Sequence, residues 1–265
     1  MHKRWFIYGG AIAFLALTIL IYNHSVWGWA GTPSQQVQIT PDVQYHQCTF
    51  KHRRAGLTVR LDVVLISPDN MSFDIAILPE TDPQQTWEDF IRNSAALVVV
   101  NGGYFDASGQ EAVGLLLLNG IEVQALSNQA ALSGMVCINR DGRVQLRRRS
   151  DGYSTTDLQS AIQAGPFLID PGGAMGIGSD DLKLAKRTAI GITKDGEVAL
   201  IKAERCTLYQ LAEILHSRSE AVGVEQFDAV LNLDGGPSQG MSLHGHFVQS
   251  PETEIHNVIL AKPLR

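Results

Sequence analysis

Val230-Leu231-Asn232-Leu233-Asp234-Gly235-Gly236-Pro237-Ser238 is an apolar run that breaks into a carboxylate, two glycines, a proline and a hydroxyl. The residues from Asp228 to Leu233 read as a buried strand. The break sets Asp234 at the rim of a sheet, on backbone free to bend close to a ligand. Taken alone, the stretch reads more simply as a strand and a tight turn, since Asp-Gly and Gly-Pro are turn dipeptides. A second junction of the same kind changes the balance. Ala96-Leu97-Val98-Val99-Val100 is another buried strand, and it ends in Asn101-Gly102-Gly103-Tyr104-Phe105-Asp106.

Working outward, the chain is rich in strands. Tyr45–Phe50, Leu57–Ile66 and Met71–Leu78 read as the first three, with Ser67-Pro68-Asp69-Asn70 turning the second into the third as a hairpin. Asn119-Gly120 and Arg140-Asp141-Gly142 each join two apolar runs and predict further hairpins. Strands follow at Ala164–Ile169, Arg187–Ile192, Glu197–Lys202 and Ile255–Ala261. Helical spacing predicts helices over Thr81–Ala95, where Thr86 could cap, over Thr156–Ile162, and over Thr207–His216, capped by Thr207 with Leu208, Leu211, Ala212 and Leu215 on one face. About ten strands against two or three helices, many joined by short hairpins, predict a single α+β domain. Its mixed sheet should be largely antiparallel.

At the N-terminus, His2-Lys3-Arg4 precede an uncharged apolar run, Trp5–Tyr22. A positive end followed by such a run is an export signal, read either as a cleaved signal peptide or as one membrane anchor. Gly28-Trp29-Ala30 offers a small-residue cleavage site, and Trp27 and Trp29 suit a membrane interface equally well. Both options place the rest of the chain outside the cytoplasm, periplasmic or extracellular. Residues 1–30 are thus assigned to the signal or anchor, the polar stretch 31–41 to a linker, and 42–265 to the domain. A net charge of −6, from 21 basic and 27 acidic residues, gives no basic excess for nucleic acid. Cys48, Cys137 and Cys206 are an odd count without metal-ligand spacing. They read as small buried residues, with one disulfide as the alternative.

The glycines at strand ends can turn backbone N–H groups toward an anion, and Arg187 can supply a fixed, bidentate positive charge. Asn101 and Asn232 can donate to phosphate or sugar oxygens, and Asp106, Glu111 and Asp234 can act as acid or base. Any one of these is by itself a turn glycine or a surface charge. Together they suit a phosphorylated sugar. The eight histidines are scattered, which disfavours a metal-dependent phosphodiesterase. A divalent cation at the acidic loops stays open, with no ligand set to read.

The same residues carry a family likeness. Asn101–Asp106 with the Gly114–Gly120 hairpin, Ala164-Gly165-Pro166, Arg187–Gly191 with its Asp195-Gly196 turn, the Thr207 helix, and Asn232–Gly236 with Ser238 occur in that order. From about Val98 to the C-terminus the chain resembles the phosphodiester glycosidases. That resemblance implies an exported hydrolase cleaving the bond between a sugar's anomeric carbon and a phosphodiester. It makes Asp234 the catalytic carboxylate, as base or nucleophile, with Asn101 orienting the sugar. Arg187, Thr188 and N–H groups near Gly235 and Gly236 would hold the phosphate. Gly102, Gly103, Tyr104, Asp106, Gly165, Asn232 and Ser238 would complete the substrate pocket. Two departures stand out: Pro237 where a third glycine is usual, and His256 where relatives carry an arginine nearby. They support the alternative of an exported glycan-binding or envelope-assembly protein without catalysis.

Overall fold

A computed structural model of the chain describes residues 28–78, 83–106 and 111–264. The apolar run Trp5–Tyr22 and the Thr86 side chain lie outside what is described. No helix among the described residues is long and apolar enough to cross a membrane.

The strands form three sheets, and every ladder among the described residues is antiparallel. The largest sheet runs β1 (Trp29–Thr40), β2 (Val43–His52), β3 (Thr58–Ile66), β14 (Val198–Cys206), β13 (Ala185–Thr193), β15 (Phe227–Asn232), β11 (Phe167–Asp170) and β12 (Ala174–Met175). A second sheet has the order β7 (Ile121–Gln124), β6 (Leu116–Leu118), β10 (Leu158–Ala164), β8 (Gly134–Asn139) and β9 (Val144–Arg148). The third has the order β17 (Phe247–Gln249), β16 (Met241–Leu243), β5 (Val98–Asn101), β18 (Asn257–Pro263) and β4 (Met71–Ile77). Two α-helices are described, α1 (Pro83–Asn93) and α2 (Leu208–Ser217). The fold is therefore mostly β, and the expected mixed sheet is corrected to three antiparallel ones.

Residue alternation along each strand feeds two cores. From the large sheet, Val64, Ile66, Ile190, Leu200 and Leu231 point one way, against Phe73, Val98, Val100, Ile138 and Ile259 of the two smaller sheets. Leu61, Val63, Ala189, Ile201 and Val230 point the other way, against Leu211, Ala212, Ile214 and Leu215 of α2. Helix α1 covers the outer side of the third sheet, where Trp87 and Ile91 meet Val99, Val258 and Leu260.

Five local expectations change. Residues 31–41 are not a linker but most of β1, paired with β2 from Trp29 to Thr40. An edge strand wetted on most of its length has little apolar signal, and Pro33 is tolerated there beside a register shift. Trp29 belongs to the core and not to a membrane interface: it is 1% exposed and donates from Nε1 to Glu213 at 2.8 Å. The segments β3 and β4 are not a hairpin. They part at Ser67–Asn70 into different sheets, β3 between β2 and β14 and β4 beside β18. Thr156–Ile162 is not a helix, because Leu158–Ala164 is needed between β6 and β8. All three cysteines are free and buried, which removes the disulfide alternative.

Helix α2 begins as its sequence demands. The Gln210 N–H donates to Thr207 Oγ1 at 3.1 Å, and the Thr207 N–H donates to Gln210 Oε1 at 3.1 Å. Both members of a capping box are thus satisfied. Thr207→Ala should lower unfolding free energy by about 1 kcal/mol in a urea titration, with unchanged slope.

Candidate active site

The site is assembled around Asn101, the last residue of β5. Its side chain is 1% exposed. Nδ2 donates to the Asp234 carbonyl at 2.8 Å. Oδ1 accepts from Thr188 Oγ1 at 2.8 Å and from the Gly240 N–H at 3.2 Å. Asn101 and Thr188 are both engaged inside the protein, joining β5 and β13 to the loop after β15. Direct contact with sugar or phosphate was expected of them; here their polar side-chain atoms bond within the protein.

The next two residues lock the same loop. The Gly102 carbonyl accepts from the Asp234 N–H at 3.1 Å, and the Gly102 N–H donates to the Asn257 carbonyl at 2.9 Å. A Cβ on Gly102 would lie 2.0 Å from Asn257 Oδ1, so only glycine fits. That Oδ1 accepts from the Gly103 N–H at 2.8 Å. Tyr104 then donates to the Gly165 carbonyl at 2.8 Å, and Asn232 Nδ2 reaches the Tyr104 hydroxyl at 2.6 Å. Gly165, Asn232 and Tyr104 are thereby held together beside Asp234.

Asp234 is half-buried. Burial pushes its carboxyl above the ordinary range, opposed by hydrogen bonds from the Ser238 side chain and the Gly235 N–H. The latter spans 2.8 Å to Oδ1. Tyr104 is pushed well above its ordinary value by burial and then by the Asp234 charge, with the Arg187 charge acting against both. Asp234 and Arg187 therefore each lie within electrostatic reach of Tyr104.

Arg187 donates to the carbonyls of Cys206 at 3.2 Å and Lys183 at 2.6 Å. Both partners are neutral, so its charge has no neutralising carboxylate among the described residues. Alternation sends Arg187 and Thr188 to opposite faces of the sheet. Ala189 packs toward α2 and Ile190 toward the smaller sheets, which puts Arg187 on the α2 side. The two expected phosphate contacts are thus separated by the sheet.

Gly235 and Gly236 both earn their places. A Cβ on Gly235 would stand 2.5 Å from the Lys186 carbonyl, while Gly236 has φ +61 and open space where its Cβ would be. Pro237 fits the short turn Gly236–Ser238, and its carbonyl accepts from the Glu252 N–H at 2.7 Å. The proline departure therefore leaves the loop intact. Asp106 accepts from the Glu111 N–H at 3.2 Å and closes the loop after Tyr104. His256 Nδ1 lies 3.3 Å from Asn257 Nδ2, the opposite end of the amide from the Oδ1 that holds Gly103. Among the described residues no group of three or more His, Cys, Asp or Glu could hold a metal.

Two positioning residues escaped the sequence reading. Asn257 carries the Gly102–Gly103 turn, and its signal was a polar residue at the start of an apolar strand, mirroring Asn101. Gln239 is 2% exposed and donates to the carbonyls of Arg187 at 2.7 Å and Ala203 at 2.9 Å. Nothing in its neighbours marks it.

Asn101→Ala should cost about 3–5 kcal/mol in chemical denaturation, because it leaves a buried hydroxyl, N–H and carbonyl unpaired. Asp234→Asn should behave oppositely. A carboxyl whose pKa is raised by folding weighs against the folded state only once ionised. The stability difference should therefore move in the variant's favour as pH rises from 3 to 7, as measured by thermal melting across that range.

A family model described as phosphodiester glycosidase matches residues 94–262. Among solved structures, the chain is similar to the catalytic domain of zebrafish N-acetylglucosamine-1-phosphodiester alpha-N-acetylglucosaminidase, auto-inhibited by its pro-peptide. The TM-score is 0.61 at 17% identity, over 89% of this chain and 88% of that one. A hypothetical protein from Synechocystis gives 0.57 at 16% identity, over 88% of this chain and 64% of that one. A protein from Burkholderia pseudomallei described as exported gives 0.59 at 11% identity, over 89% and 97%. At such identities the likeness is one of fold. No curated protein matches the sequence.

Proposed function

The chain belongs to the phosphodiester glycosidase family, and we propose on that premise that it hydrolyses sugar-1-phosphodiesters outside the cytoplasm. The observation that carries this reading is Asp234: a half-buried carboxyl, raised by burial, held at a strand end by its backbone and within electrostatic reach of Tyr104. A carboxyl above its ordinary range is a better proton acceptor.

In the proposed reaction, water attacks the anomeric carbon. Its oxygen bonds to that carbon, its proton passes to Asp234, and the bond from carbon to phosphate oxygen breaks. The electron pair leaves with the phosphate. Phosphate is a good leaving group, so acid assistance is needed less than in ordinary glycosidases. Arg187, which has no carboxylate partner among the described residues, is the group suited to the phosphate, aided by the open backbone at Gly236. Asn101, Thr188 and Asn257 act through position, by fixing the backbone on either side of Asp234. Tyr104 and Asn232 hold one wall of the pocket.

The test is incubation of the purified protein with the methyl phosphodiester of N-acetylglucosamine-1-phosphate, following free sugar. Asp234→Asn should lower kcat at least 1,000-fold, and Arg187→Ala should lower kcat/KM about 100-fold. The wild-type kcat/KM profile should fall on its acid side through an apparent pKa above that of a free aspartate. Near-normal turnover by Asp234→Asn would remove the assignment. Tight binding of the diester without release of sugar by the wild type would instead favour a non-catalytic glycan-binding protein.

A further inference from the structure

Away from Asp234, the large sheet carries a transverse polar row. Thr188, Lys202, Asp62, Gln47 and Gln35 are direct cross-strand partners on β13, β14, β3, β2 and β1. Directly opposed residues share a face, and the face here is otherwise apolar, with Val64, Ile66 and Leu200 in it.

Lys202 and Asp62 form an ion pair at 2.9 Å, with side chains only 6% and 4% exposed. The Tyr45 hydroxyl and Gln47 Nε2 donate to the same Asp62 oxygen at 2.6 and 2.8 Å. Lys202 also donates to Gln249. Burial alone would raise the Asp62 carboxyl, but these hydrogen bonds and the Lys202 charge hold it below the ordinary range. A pair buried this deeply adds little net stability over apolar residues of equal volume, because desolvation offsets the attraction. Its place in an apolar face is better explained by what lies above it.

A cavity of about 430 Å³ is lined by this pair with Gln35, Gln47, Tyr45 and Phe247. The rings of Tyr45 and Phe247 stand 5.3 Å apart at 51°, and Phe247 is half-buried. Arg60 at the rim is bonded to Glu204 at 2.9 Å. Each lysine and arginine lining the cavity therefore has a carboxylate partner, and His246 is the remaining titratable side chain on its wall. What the walls offer besides is side-chain amides, a carboxylate and an aromatic surface. Hydroxyl groups can bridge the first two, and the C–H face of a sugar ring can pack on the third.

We propose that this cavity is a saccharide-binding site, distinct from the Asp234 site, that takes a neutral sugar unit. Both sites lie toward the same end of the sheet. Gln249 donates to Gln239 at 3.4 Å, and Gln239 holds the Arg187 carbonyl. Lys202 is two strands from β15, roughly 10 Å.

Saturation-transfer NMR on the full chain tests this, with glucose, galactose, N-acetylglucosamine and chitobiose as probes. At least one should bind. Phe247→Ala and Gln35→Ala should each weaken that binding tenfold or more, while Asp234→Asn should leave it unchanged. Gln35 is exposed, so its variant decides the matter if Phe247→Ala fails to fold. The proposal falls if none of the four sugars binds, if Gln35→Ala binds as the wild type does, if Asp234→Asn abolishes binding, or if inorganic phosphate competes. The readout is independent of turnover, so it stands or falls separately from the hydrolytic reading.

Discussion

One amide side chain closes the molecule. Asn101 ends a strand of the third sheet, and its two polar atoms reach Thr188 in the large sheet, the carbonyl of Asp234 and the N–H of Gly240. These bonds are made where water does not reach, so each missing partner would leave a buried polar group uncompensated. Around it the other constraints follow. Asp234 is fixed through its backbone on both sides, because its N–H is held by Gly102 and its carbonyl by Asn101. The carboxyl takes no part in those two bonds; it accepts from the Gly235 N–H and the Ser238 side chain.

This fixing of backbone separates two kinds of residue that a motif presents as one. In Asn101-Gly102-Gly103-Tyr104, the asparagine and the first glycine are architecture, and the tyrosine is the first residue to reach the pocket wall. In Arg187-Thr188 the same split occurs between neighbours, because strand alternation sends one side chain toward α2 and the other inward. In Asp234-Gly235-Gly236 the carboxyl accepts from the Gly235 N–H and the Ser238 side chain. The first glycine lets the loop pass the Lys186 carbonyl, and the second takes a left-handed turn.

Much of this was legible in the sequence. The apolar runs ending in Asn-Gly-Gly and Asp-Gly-Gly located the strand ends that converge on the site. The Asn119-Gly120 hairpin and the Thr207 cap stand where turn and cap chemistry put them. Other features were not legible because their signals are not local. β1 is polar because it lies at a wet edge, so composition reads it as a connector. Leu158–Ala164 is a strand because β6 and β8 flank it. The parting of β3 from β4 depends on which sheet each strand completes, which a turn sequence does not encode. Gln239 and Asn257 act through backbone groups of distant strands, and neither sits in a motif. The N-terminal apolar run and the assignment of roles within the pocket rest on sequence and chemistry alone.

The bonds at Asn101 also have a temporal meaning. Its partners lie 87 residues away at Thr188 and 133 away at Asp234, and Asn257 reaches Gly103 across 154. No fragment of the chain shorter than 101–257 contains them all. Contacts of such long range form only after the loops between them have closed, which is slow for antiparallel topologies of this kind. The bonds around Asn101 therefore wait on pairing between strands that are distant in the chain.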